Sequence, residues 1–128
     1  MTKFSLFFCF FFLAFIVYLP LALNPDLLLR RGNDLEEFFW PIFYFIKYSI
    51  YTFKEVPFWN NIFFSGTPLL SDPQSGVYYI PNLLFLFLPI DLAFIISLLT
   101  HLAFGGTSMY VLTRKGFNFQ RFACFFTS

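Results

Sequence analysis

The run that decides the fold is "YIPNLLFLFLPIDLAFIISLLTHLAFGGTSMYVLT", from Tyr79 to Thr113, closed by Arg114 and Lys115. Pro89 and Asp91 divide it. Residues 81–88 read as a short helix dipping into an interface, and residues 90–113 as a full transmembrane span with Asp91 near its N-terminal end. A second apolar run, "FSLFFCFFFLAFIVYLPLAL", covers residues 4–23 without a charge. About 20 helical residues at about 1.5 Å each cross a hydrocarbon core about 30 Å thick, so this run reads as a first span. A cleaved signal peptide is the rival reading, since Lys3 precedes it. The apolar stretch exceeds a usual signal core, and "LALNPD" offers no small-x-small cleavage site. "GFNFQRFACFFTS" turns apolar again after Lys115, as the start of a third span over residues 119–128.

Composition agrees. Hydrophobic residues make up 59% of the 128 and charged ones 12%, about half the share in a soluble domain, with a mean hydropathy of +0.72. A net charge of +1 with no basic cluster beyond a pair leaves no case for nucleic acid. Cys9 and Cys124 sit inside apolar runs and read as packing residues, not as a disulfide or a zinc site. The expectation is an all-α integral membrane protein: two transmembrane helices, the start of a third, and a long outer loop over residues 24–89. Lys3, Arg114, Lys115 and Arg121 place the N-terminus and the end of the second span in the cytoplasm, and the loop outside. Arg30, Arg31, Lys47 and Lys54 lie in that loop and count against this orientation.

A loop of this length needs structure of its own. "NDLEEFFWPIFYFIKYSIYTFKE" predicts a helix over about 34–53, with Asn33 or Asp34 as N-cap, acids in its first turn, and Pro41 early enough to be tolerated. Trp40, Tyr44, Tyr48 and Tyr51 favour the headgroup level, so the helix is expected to lie along the interface; a span is the alternative, since residues 38–46 are strongly apolar, although Lys47 and the charged ends leave that stretch short for a crossing. Next, "VPFWNNIFFSGTPLLSDPQSGVYYIPN" is punctuated by Pro57, Gly66, Pro68, Pro73, Gly76 and Pro81, while Trp59, Phe63, Phe64, Leu69, Leu70 and Tyr79 supply apolar anchors. It reads as a folded loop with fixed turns.

Three segments, "GNDLEEFFWPIFYFIKYSI", "VPFWNNIFFSGTPLLSDPQSGVYYIPNLLFLFLP" and "LLTHLAFGGTSMYVLTRKG", together resemble the N-terminal part of the YfhO-like bacterial membrane proteins, a GT-C class of multispanning glycosyltransferases. The likeness runs from about Gly32 to Gly116, and the chain lacks the later spans of that family. It therefore reads as an N-terminal piece, inactive alone. The resemblance implies transfer of a sugar from a polyprenyl-phosphate donor to a cell-envelope acceptor at the outer face of the bacterial cytoplasmic membrane. It puts Asp34 in the place of the family's acidic loop residue, as catalytic base or acceptor-positioning group. Arg30 or Arg31 could hold a phosphate leaving group.

Each of these residues has a second reading. Asp34 with Glu37 also makes an acidic helix start, and a divalent cation on Asp34, Glu36 and Glu37 stays open beside a solvated acidic turn. Trp59, Asn60, Gln74 and Tyr79 are candidate sugar or carrier contacts, through amide hydrogen bonds and ring stacking. Asn60, Asp72 and Gly66 serve equally as turn formers. His101 reads as a hydrogen-bond partner within the second span, and Gly105 and Gly106 as a close helix approach. No nucleotide-binding motif is present, so the cofactor is unknown. The alternative from another class is a non-catalytic membrane protein whose loop is a docking surface.

Overall fold

The computed structural model describes residues 3–27, 32–63 and 65–126. Arg30, Arg31 and Phe64 lie outside them. The molecule is mostly helical, and it divides into two compact units: residues 1–23 with 98–128, and residues 24–97.

In the first unit, helix α1 spans Lys3–Val17 and a short α2 spans Leu19–Leu23. The single helix expected over 4–23 is thus divided at Tyr18. Pro20 is the physical reason: it has no N–H to return to Ile16, and its ring crowds that carbonyl. Tyr18 N still bonds Ala14 O at 2.9 Å, and Leu21 N and Ala22 N both turn back to Tyr18 O. Helix α5, Ile90–Gly116, is the one described helix long and apolar enough to cross a membrane. It outruns the expected 90–113 by three residues, ending on Gly116. Its portion from Leu98 packs with α1 and with α6, Arg121–Phe126. Leu6, Phe10 and Ala103 form the core, and the Phe10 and Phe125 rings stack at 5.3 Å. Gly106 carries the close approach, because a Cβ there would lie 2.9 Å from the Phe10 ring; at Gly105 a Cβ would meet nothing within 4 Å. His101 is exposed on α5.

The second unit is built on α3, Trp40–Phe53, preceded by a π-helical turn over Leu35–Phe39. Pro41 explains the wide turn. It cannot donate to Glu37 and its ring crowds that carbonyl, and Trp40 N instead reaches Leu35 O, five residues back. Lys54 ends α3 in the left-handed region at φ 61°. Two two-residue strands follow, β1 (Trp59–Asn60) and β2 (Thr67–Pro68), paired antiparallel with Trp59 opposite Pro68. This ladder is the one departure from an all-α fold among the described residues. A 3-10 turn over Ile80–Leu83 leads into α4, Leu84–Phe87, and Leu88 is extended at φ −108°, ψ 159°, as a residue before proline must be. Ile42, Phe43, Ile46, Leu69, Phe85, Ile90 and Ala93 form the core, and the Phe43 and Phe85 rings lie parallel at 3.9 Å.

Candidate functional site

Asn33 begins the acidic head of α3. Its side-chain Oδ1 accepts from Glu36 N at 2.9 Å, and its carbonyl accepts from Glu36 N and Glu37 N. Asp34 makes no side-chain cap bond, and its residue is exposed. Of the two candidate caps, Asn33 does the work, leaving the Asp34 carboxylate open to solvent. Glu36 differs from both: its Oε2 is shielded from solvent and has no hydrogen-bond partner among the described residues. A shielded carboxylate oxygen without a donor is costly to the fold. In the sequence Glu36 reads as one of three acids in a solvated first turn, with a divalent cation on Asp34, Glu36 and Glu37 as the second reading, and neither singles it out from its neighbours. Among the described residues, no group of three His, Cys, Asp or Glu is placed to hold a metal ion.

One face of α3 is tied to the segment around Pro89. Trp40 Nε1 donates to Asp91 Oδ1 at 2.9 Å, Lys47 Nζ to the Leu88 carbonyl at 2.6 Å, and the Tyr51 hydroxyl to the Leu86 carbonyl at 3.1 Å. Positions 40, 47 and 51 recur at seven and four residues, which is one stripe of a helix. Leu86 and Leu88 lie where α4 ends, so their carbonyls lack helical donors and α3 supplies them. A second feature of α3 is a ring ladder that runs from half-buried Trp40 onto exposed Tyr44 and Tyr48: Trp40 on Tyr44 at 5.3 Å and Tyr44 on Tyr48 at 6.3 Å, both nearly parallel. Asp91 and Lys47 are the residues that sequence reading missed as a pair of anchors. Their partners lie 51 and 41 residues away in the chain, a separation that no local pattern encodes.

The candidate contact residues divide into two kinds. Asn60 is only 2% exposed, and its Oδ1 accepts from Ile62 N at 2.9 Å. The turn-forming reading therefore holds for Asn60, and burial removes it from any groove that a sugar could enter. Asp72 also serves its own turn, accepting from Gln74 N, while Ser75 Oγ donates to the Asp72 carbonyl. Trp59 is 57% exposed with its indole against Gly66, and Tyr79 is 48% exposed. Gln74 is exposed as well. Phe38 in the head of α3 packs on Phe63 of the hairpin at 5.4 Å, which brings the helix head and the hairpin loop into one neighbourhood. Searches against protein-family models, curated proteins and solved structures find no match to this chain.

Proposed function

We propose that this chain is the N-terminal part of a membrane glycosyltransferase, working at the outer face of a bacterial cytoplasmic membrane, that moves a sugar from a polyprenyl-phosphate carrier to a cell-envelope acceptor. The observation that supports it is the Asp34 carboxylate, exposed at the head of α3 and released from capping by Asn33. In this reading the acceptor hydroxyl attacks the anomeric carbon and passes its proton to Asp34. The bond from that carbon to the phosphate oxygen breaks, and its electron pair leaves on polyprenyl phosphate. Arg30 and Arg31 are the residues assigned to the departing phosphate, and exposed Trp59, Gln74 and Tyr79 are assigned to sugar contacts. Helix α5 is the membrane span in this reading. N-terminus inside and residues 24–89 outside is the orientation that its Arg114 and Lys115 end favours.

The test uses the full reading frame that carries this chain. Asp34→Asn should insert normally and lose transfer of label from polyprenyl-phosphate sugar by about a hundredfold or more, the usual worth of a general base. Transfer unchanged by the substitution would remove Asp34 from the chemistry. A second reading draws on Asn60 and Asp72, both occupied by their own turns: the loop as a rigid docking surface of a non-catalytic membrane protein. Absence of transfer by the unsubstituted protein would favour it.

A further inference from the structure

All seven acidic residues of the chain, Asp26, Asp34, Glu36, Glu37, Glu55, Asp72 and Asp91, fall within residues 24–97. The other unit carries Lys3, Arg114, Lys115 and Arg121 with no carboxylate side chain to offset them. Those four do not scatter. They converge on one cleft of about 590 Å³, whose floor includes Leu6 and Phe125. Antiparallel packing of α1 on α5 brings this about, setting the start of one helix beside the end of the other. Arg114 is partly engaged, since its Nη1 donates to the Phe119 carbonyl at 2.6 Å and holds the turn between α5 and α6. Next to the cleft, and sharing Lys3 and Val111 with it, runs an apolar groove of about 710 Å³ walled by Phe4, Phe8, Phe104 and Leu112. Ser108 lies along it.

Four cations with no acidic side chain in their unit repel one another, and an anion between them removes that cost. The cleft therefore fits a phosphate group. A free phosphate would use the cleft alone, whereas a lipid would use the cleft and the groove together. We propose that they form a single site for an anionic phospholipid, its phosphodiester held by Lys3, Lys115 and Arg121 beside Arg114, and an acyl chain laid along the groove. Basic pockets between helices at the cytoplasmic leaflet suit such headgroups. The site rests on the membrane reading of α5 and is independent of the chemistry assigned to Asp34. It gives the basic end of the unit a saturable ligand, where a topological signal alone needs only charge.

The test takes the full chain in neutral detergent and counts bound lipid by native mass spectrometry, with phosphatidylglycerol, phosphatidylcholine and inorganic phosphate as probes. One phosphatidylglycerol per chain should bind in preference to phosphatidylcholine, and millimolar phosphate should not displace it. Lys115→Gln with Arg121→Gln should weaken binding about thirtyfold, each cation near an anionic headgroup being worth about fivefold. Ser108→Trp, which fills the groove and leaves every cation in place, should weaken phosphatidylglycerol as well. Equal retention of phosphatidylcholine, or affinity unchanged in the double variant, would overturn the proposal. Displacement by inorganic phosphate with Ser108→Trp inert would replace the lipid by a free anion.

Discussion

Asn33 and Asp34 are neighbours of nearly the same shape, and the helix uses only the first as a side-chain cap. Asn33→Ala should cost about 1 kcal/mol of stability, whereas Asp34→Ala should leave the thermal midpoint of the purified protein where it was. Equal losses from the two would return Asp34 to the cap and remove its availability for chemistry. Gly66 is the second residue on which the local structure turns. It sits at φ 116°, where an L-residue is strained, and a Cβ there would come within 2.9 Å of the Trp59 ring as well as onto its Nε1. Gly66→Ala should cost about 2 kcal/mol and shift Trp59 fluorescence as the indole is pushed off the turn. An unshifted spectrum at full stability would contradict the packing of β1 on that turn. Sequence alone identified Gly66 as a turn glycine. It gave no sign that Trp59 lies over it, because that contact depends on how β1 and β2 are registered.

Elements were readable where one physical signal dominated a long stretch. The α5 pattern is 27 residues of apolar helix with an acid in its first turn and two bases in its last, and the helix of 40–53 announces itself by a capping Asn33 or Asp34 and an acidic head. The hairpin was not readable, since strands of two residues are too short to leave an alternating pattern. Hydropathy also hid the break at Tyr18: Pro20 is apolar on a transfer scale and disruptive only through its missing N–H. Pro20→Ala should therefore join α1 to α2 and slow amide exchange across residues 18–22; exchange as fast as before would place the cause of the break elsewhere. The brace from α3 to the Pro89 region is the least legible element contact and the most testable. In a double-mutant cycle of Trp40→Phe with Asp91→Ala, unfolding should give a coupling of about 1 kcal/mol, because the indole N–H and the carboxylate lose each other in either single variant. Zero coupling would mean that the hydrogen bond does not form in the folded protein.

At the scale of the whole chain the distribution of charge carries more information than its total. A net +1 conceals a division: every acid lies within 24–97, and four cations stand alone in the remaining residues. Composition could not reveal this, since opposite charges cancel in any sum. Sequence position reveals it only when residues 1–23 and 98–128 are read as one unit, which takes the packing of α1 on α5. The positive-inside rule weighs the cations of short flanks and discounts both acids and the cations of a long loop, so Lys3, Arg114, Lys115 and Arg121 count toward orientation more than the four cations within 24–97. It predicts a sided chain. With Cys9 and Cys124 replaced by serine and alanine, an exposed reporter at Ser71→Cys should react with a membrane-impermeant maleimide on intact cells. The same reagent should reach Gln120→Cys, also exposed, only after the cells are opened. Exchanging Arg114 and Lys115 for glutamates should then blur that contrast, since the proposed orientation rests on the charges at that end of α5. Labelling of both reporters on intact cells before any charge is changed would show that α5 does not cross the bilayer, and the outer-face placement of Asp34 would fall with it.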